Sequence, residues 1–188
     1  MKKNIKHDMI MAPLPVLIIG TYDENGIPNA MNAAWGTQCD MNKITVFLSK
    51  HKTTDNLELK KEFTVAFATK DTLEISDYFG IESGHKLNKI EKAGVHVKKA
   101  EFVDAPLIEE YPVTLECKMT ALNDDGGDYR LVGEVVNIVA EESVLDENGH
   151  IDLKKLEVIA FDSAHNTYRV IGDEVGRAFH DGLNIKNS

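Results

Sequence analysis

Short apolar segments separated by glycine-containing turns place the strongest constraint on how this chain can fold. Residues 15–21 form a continuous apolar run of strand length. The turn at 23–26 follows and ends in Asn-Gly, which favours a hairpin because both positions tolerate positive φ. Two similar turns occur at 123–127 and 146–149. Strands joined by tight turns pair antiparallel, so the sequence predicts a mainly β fold.

The remaining elements fit the same plan. Further strands are predicted at residues 28–35, 43–49, 63–68, 95–98, 111–122, 129–139 and 158–161. One helix is predicted to begin at Thr53 or Thr54, either of which could provide the cap, and another at Asp71 or Thr72. Residues 80–94 are predicted to form a loop with one helical turn. The tail at 173–179 is predicted to form a further helix. Strands outnumber helices and most connections are hairpins. We therefore predict a single domain, residues 1–188, with an antiparallel Greek-key barrel and peripheral α-helices.

Composition narrows the range of functions. The chain has 43% hydrophobic residues and a net charge of −10, so it can form a core, while its acidic surface disfavours nucleic-acid binding. It contains no apolar run of membrane-spanning length, and we expect a cytoplasmic protein without a membrane partner. The two cysteines, Cys39 and Cys117, are far apart and have no histidine at ligand spacing, which argues against a disulfide framework or a cysteine-based metal site.

Several common catalytic motifs are missing from the sequence. It contains no Gly-x-Gly-x-x-Gly after a strand and no phosphate loop of the Walker type. It also lacks the Gly-x-Ser-x-Gly elbow and the His-Glu-x-x-His helix. A dinucleotide held in the Rossmann manner is therefore not expected.

Residues 29–36 form the first candidate ligand-binding segment. Small residues at 30, 33, 34 and 36 leave the backbone uncovered, so a flat ligand could lie against it. Asn32 offers an amide, and the indole of Trp35 could stack on a ring or line a pocket. The alternative, a core tryptophan in a strand of small residues, explains this segment better when it is taken alone.

Residues 49–56 form the second candidate segment. They join a strand end to a helix start and combine hydroxyl groups, lysines and free backbone N–H groups. Such groups suit a phosphate, because N–H donors and the positive end of the helix dipole meet at a helix N-terminus. The alternative is an ordinary helix cap with a solvated basic turn.

Together with later landmarks, these two segments resemble the flavin-reductase-like FMN-binding family, in particular its flavoredoxin-type members. The resemblance runs through Pro13-Leu14-Pro15-Val16, Asn32-Ala33-Ala34-Trp35, Thr53-Thr54-Asp55-Asn56-Leu57, Glu62-Phe63-Thr64-Val65, Ser83-Gly84-His85-Lys86, Gly133-Glu134-Val135-Val136 and Tyr168-Arg169-Val170-Ile171-Gly172. The order and spacing of these pieces, rather than any single one, carry the resemblance.

The resemblance implies a split β-barrel that forms a homodimer with FMN at the subunit interface. It would place Asn32, Ala33, Ala34 and Trp35 beside the isoalloxazine, and Ser49, Lys50, Thr53, Thr54 and Asn56 around the phosphate and ribityl chain. It would also bring Lys86 to the ring or the phosphate, with Phe161 nearby. It implies no metal ligand.

The activity implied by the resemblance is that of an NAD(P)H-dependent flavin reductase, which passes electrons through FMN to free flavin, a protein partner or a metal complex. Tyr129 stands where many members carry a histidine close to the flavin. This departure fits an alternative, a flavoredoxin-like electron carrier without its own nicotinamide site. A heme- or pyridoxamine-binding split barrel is a third interpretation, and it agrees less well with the landmarks at Trp35 and 53–56.

Overall fold

The structure, a computed structural model, describes residues 1–4 and 11–186. In chain order its strands and α-helices are β1 (Leu14–Pro15), β2 (Leu17–Tyr22), β3 (Pro28–Ala33), β4 (Gly36–Asp40), β5 (Lys43–Ser49), α1 (Lys52–Lys60), β6 (Glu62–Phe67), α2 (Leu73–Ile81), α3 (Lys89–Ala93), β7 (Val97–Lys99), β8 (Pro106–Ile108), β9 (Val113–Asp125), β10 (Asp128–Ala140), α4 (Leu153–Leu156), β11 (Ile159–Asp162), β12 (Thr167–Val170) and α5 (Leu183–Lys186).

Seven strands form the main sheet in the order β3-β2-β6-β9-β10-β5-β4, and every pairing in it is antiparallel. Two register shifts interrupt the long β9–β10 ladder, at Val132/Gly133 and Val135/Asn137. Such bulges bend strands, and they curve this sheet around its core. The fold is a mainly β split barrel with peripheral helices, as the sequence predicts.

Strand β2 begins with three apolar residues, Leu17–Ile19, because both of its faces are buried there. Leu17 and Ile19 point into the barrel core, where they join Phe63, Val65 and Leu131. The alternating residue Ile18 belongs to a second cluster formed with the helices outside the sheet, which also contains Phe79 and Ile90. The second cluster fixes α2 and α3 against β3, and so positions the site described below.

Two strand predictions need correction. The strand predicted at 28–35 stops at Ala33, because β3 and β4 lie at opposite edges of the main sheet and the chain must leave one to begin the other. Trp35 lies in the connection, and its carbonyl accepts the N–H of Phe47 at 2.8 Å. The sequence did not predict β4, β8 or β12, nor the short helix α4.

The predicted helix over 173–179 is wrong. Residues 171–177 form neither helix nor strand, 178–182 form turns, and the short helix α5 begins only at Leu183. Gly176 lies within the predicted segment and weakens a helix there, and a short exposed segment without a packed face has little else to stabilise it.

The helical turn predicted within 80–94 is confirmed as α3, and the strand predicted near 95–98 appears as β7. Within the described parts of the chain, no helix is both long enough and apolar enough to span a membrane.

Candidate functional site

The N-terminus of α1 forms the base of the candidate site. Its cap is His51, in an extended conformation, and not Thr53 or Thr54 as the sequence suggested. Thr54 acts one turn into the helix: its Oγ1 accepts the His51 N–H at 2.9 Å and donates to the His51 carbonyl at 2.7 Å. The helix begins here because this exchange closes its first turn.

A cavity of about 90 Å³ opens beside this helix end. Residues from β3, α1, α2 and the segment after α2 line it: Asn29, Met31, Asn32, His51, Lys52, Thr53, Phe79, Gly80, Glu82, Ser83, Gly84 and Lys89. We call it the α1 cavity. Residues 32 and 53, from the two candidate segments of the sequence, thus meet at one place.

Two close contacts shape the wall of the α1 cavity. The Nδ2 of Asn29 donates to Thr53 Oγ1 at 2.9 Å, and both residues are buried. A Cβ added to Gly84 would collide with Asn29 Oδ1 and lie 3.2 Å from the Cβ of Lys52. Only glycine therefore allows the turn after α2 to approach the start of α1 this closely.

Lys89 brings a buried positive charge to the α1 cavity. Only 4% of the residue is exposed, and its Nζ donates to the Phe79 carbonyl at 3.0 Å. Burial lowers the pKa of Lys89 to about 8, with a smaller opposing effect from Glu82. One N–H of the ammonium is satisfied by Phe79, which leaves two for a ligand.

The other ionisable side chains in the lining are His51, Lys52 and Glu82. The pKa of His51 is lowered by partial burial, and further by the charges of Lys89 and His85. The Nζ of Lys52 lies 3.4 Å from Asp23 Oδ2, with which it forms an ion pair. Glu82 is the one carboxylate in the lining, and its Oε1 accepts the Ser83 N–H at 2.8 Å. A helix N-terminus beside the two lysines Lys52 and Lys89 is suited to an oxyanion such as phosphate.

The other residues predicted to hold a phosphate or ribityl chain lie around this helix end rather than in its cavity. Thr54 and Asn56 are buried, and Asn56 Nδ2 donates to Thr21 Oγ1 at 3.0 Å. Ser49 Oγ donates to Asp128 Oδ1 at 2.7 Å, while Lys50 is exposed. Their contact with a ligand remains a prediction.

Trp35 lies on a larger apolar cavity. It is 63% exposed, so the structure does not support a core role. Trp35 lines a space of about 370 Å³, which we call the Trp35 cavity. The other lining residues are Met11, Leu14, Gly36, Thr37, Thr45, Phe47 and Ser163. Of its neighbours in the first candidate segment, Ala33 is buried in the barrel core and Ala34 is half-buried.

Tyr168 connects Asn32 with Phe161, two residues that the family resemblance places near the same ligand. Its ring contacts that of Phe161 at 5.9 Å between centroids, and its hydroxyl donates to Asp77 at 2.7 Å. Burial, followed by Asp77, raises the pKa of Tyr168 to about 12, and a hydrogen bond with Asn32 opposes the rise. Asn32 Nδ2 also donates to the Ser76 carbonyl at 2.9 Å. The Asn32 side chain is therefore held by both Ser76 and Tyr168.

Lys86, the lysine that the family resemblance implies for the site, is exposed and does not line the α1 cavity. Lys89, three residues later, does line it and was not predicted. Tyr129 is half-buried on β10 and pairs with Leu48 and Asp124. Among the described residues, no group of three or more His, Cys, Asp or Glu side chains is arranged to hold a metal ion.

Residues 9–155 match the model of the flavin reductase like domain, and the chain belongs to this family. A solved flavoredoxin of Desulfovibrio vulgaris (Miyazaki F) is similar, with 29% identity and a TM-score of 0.92 over 97% of this chain and 100% of that one. A flavoredoxin from Methanosarcina acetivorans has 28% identity and a TM-score of 0.89, covering 98% and 99% of the two chains. Nitrilotriacetate monooxygenase component B from Bacillus cereus shares the fold, with 16% identity and a TM-score of 0.82 over 94% and 99%.

Proposed function

We propose that this chain is an FMN-binding oxidoreductase that holds the FMN phosphate in the α1 cavity. The observation that carries the proposal is the convergence of the α1 N-terminus with Lys52, His51 and the buried Lys89 at one small cavity, in a chain of the flavin reductase like family. At about 90 Å³ the cavity has room for a small anion but not for a three-ring flavin. The ring must therefore lie outside it.

The Trp35 cavity is the place we propose for the isoalloxazine ring. Its lining is mostly apolar and includes two exposed aromatic side chains, Trp35 and Phe47, which suit a flat conjugated ring. Asn32 lines the α1 cavity, and Trp35 lines the Trp35 cavity. The two residues are three positions apart in the chain, so they are separated by at most about 11 Å. A ribityl chain is of comparable length, so one FMN could occupy both cavities.

FMN would supply the one- and two-electron chemistry, and the residues of this chain would bind and orient it. In this proposal Lys89, Lys52 and the first N–H groups of α1 neutralise the phosphate. Asn32 is held by Ser76 and Tyr168, which fixes its amide near the predicted position of the ring. Lys86 remains a predicted further cation for the ring or the phosphate.

The electron donor distinguishes two versions of the function. The family resemblance suggests NAD(P)H as donor, with free flavin, a protein or a metal complex as acceptor. A flavoredoxin-like carrier without a nicotinamide site is favoured by the two flavoredoxins, which share 28% and 29% identity over nearly the whole chain. Tyr129, in place of the histidine common in the family, points the same way.

Anaerobic reduction of the FMN-loaded protein separates these versions. NADH and then NADPH would be added in the absence of oxygen while the flavin absorbance is followed. Rapid bleaching by either nucleotide would support the reductase. An unchanged spectrum, with bleaching by dithionite as the positive control, would support the carrier.

We also propose that the chain forms a homodimer. An apolar groove of about 710 Å³ crosses the main sheet, and its lining includes Val136 and Ile138 of β10, which are 39% and 53% exposed. A second copy covering these exposed apolar side chains would form a self-complementary interface. Light scattering across a concentration series tests this proposal separately from FMN binding.

The pKa of Lys89 predicts how FMN affinity changes with pH. Below about pH 8 the ammonium is charged and can donate to the phosphate; above it the free protein carries a neutral amine, so binding must first recover a proton. The dissociation constant of FMN should therefore rise as the pH increases from about 8 to 9.5. Titrations in a single buffer series at constant ionic strength measure this, and the rise should be absent in Lys89→Met.

A further inference from the structure

The segment that follows β12 carries apolar side chains that its own chain leaves uncovered. Val175 and Phe179 are 101% and 102% exposed. Neither belongs to any of the four apolar clusters formed by the described residues. A phenylalanine side chain left in water forgoes the free energy of burying its ring, so such a side chain suggests a missing contact surface.

A local turn holds Phe179 in place. The Arg177 N–H donates to Asp181 Oδ2 at 2.9 Å, and the Asp181 N–H donates to the Arg177 carbonyl at 3.2 Å. Between these two residues, Phe179 adopts a φ of +59°, which non-glycine residues rarely take. The segment therefore presents the phenylalanine ring on a structured loop.

The tail leaves the body of the protein at the edge of the apolar groove. The Ile171 N–H donates to the Val158 carbonyl at 3.1 Å, and Ile171 lines an apolar cavity of about 410 Å³. Pro15, Phe67 and Ile151 line both this cavity and the 710 Å³ groove, so the two are continuous. The next residues, including Val175, do not fold back into this apolar surface.

We propose that residues 172–186 form an arm that packs against the groove of a second copy of this chain. If two copies meet through their grooves about a two-fold axis, the edge of one groove lies beside the partner, and an arm that starts there crosses directly onto it. Phe179 then fills part of the partner's groove, and symmetry gives each dimer two arms. This inference rests on the homodimer in the proposed function, and it does not depend on FMN.

Two variants and a control test the arm by its effect on dimerisation. A chain ending at Gly172 and the variant Phe179→Ser should each raise the dimer dissociation constant by about 1,000-fold, because each change removes one aromatic hot spot from both arms and each hot spot corresponds to about 30-fold. The control Phe102→Ser removes a phenylalanine that is 53% exposed on a loop elsewhere and should leave the constant unchanged. Sedimentation velocity over a concentration series measures the dimer dissociation constant of the wild type, the two variants and the control. Unchanged dimerisation of the truncated chain would refute the arm.

Crosslinking identifies where the arm binds. A benzophenone side chain is introduced at position 179, and the protein is mixed with an ¹⁵N-labelled copy before irradiation. Mixed-isotope crosslinks to groove residues such as Phe67 or Ile138 are expected; crosslinks confined to one copy, or located outside the groove, would overturn the inference. FMN is also titrated into the truncated chain, so that FMN binding and dimerisation are measured independently. Loss of the effect on dimerisation counts against the arm, whereas absence of FMN binding counts against the proposed function.

Discussion

Replacing Phe63 with alanine is expected to lower the free energy of unfolding by about 3–5 kcal/mol, the range for deleting a large aromatic side chain from a core. Phe63 has no exposed surface and lies at the centre of the barrel cluster. Its ring packs directly against Gly133 of β10, where one of the bulges in the β9–β10 ladder is located. Urea denaturation followed by circular dichroism measures the change.

Gly133→Ala probes the same contact from the opposite strand. An added Cβ would overlap the Phe63 ring and lie 2.9 Å from its Cε1 atom, so overpacking should cost about 1–3 kcal/mol. In a Phe63→Leu background, which removes ring atoms, the cost should be smaller, and a double-mutant cycle measures this coupling. Gly172→Ala, where an added Cβ meets nothing within 4 Å, is the matched control. A loss below about 1 kcal/mol in Phe63→Ala would contradict this packing.

Replacing Lys89 with methionine is expected to weaken FMN binding at pH 7 by about 10–100-fold. A hydrogen bond to a charged group contributes about 1.5–3 kcal/mol, and each 1.4 kcal/mol corresponds to about a tenfold change in affinity. Lys89 is buried at the α1 cavity, so its charge is little screened by solvent. Fluorescence titration with FMN measures the effect, and the urea midpoint of each variant confirms folding.

Two further lysines in the same segment sharpen this test. Lys92→Met removes an equal charge from the exposed side of α3 and should change FMN affinity little. Lys86→Met tests the prediction made from the family resemblance, and its effect relative to Lys89→Met shows which lysine serves the phosphate. Equal affinities in wild type, Lys89→Met and Lys92→Met would remove Lys89 from the site.

The strand pairing was largely predictable because its determinants are local. The Asn-Gly turn at 25–26 and the glycine-rich turn at 123–127 fix which strands are neighbours, and alternating burial fixes their faces. The strand β4 was not predicted, because its five residues are mostly exposed and its sequence has no apolar alternation. The helix at 173–179 was predicted from local sequence and failed, since no residue of this segment joins an apolar cluster of the described residues.

The α1 cavity was predictable only in part. Segment 49–56 was correctly associated with a helix N-terminus. The prediction did not take into account that residues 53, 56 and 57 are spaced to share one face of this helix. The structure shows that this face is buried. Lys89 could not be singled out among the lysines of 86–92. Its burial depends on α3 packing against Phe79 of α2, a tertiary contact that no local pattern encodes.

The most direct test of the proposed function compares FMN with riboflavin, which lacks the phosphate. Both would be titrated into the apo protein at pH 7 and moderate ionic strength, with flavin fluorescence as the signal. If the α1 cavity holds the phosphate, FMN should bind roughly 100-fold more tightly than riboflavin, because several charge-assisted hydrogen bonds are lost with the phosphate. Equal affinity for the two would contradict the phosphate site, and failure to bind either would contradict flavin binding itself.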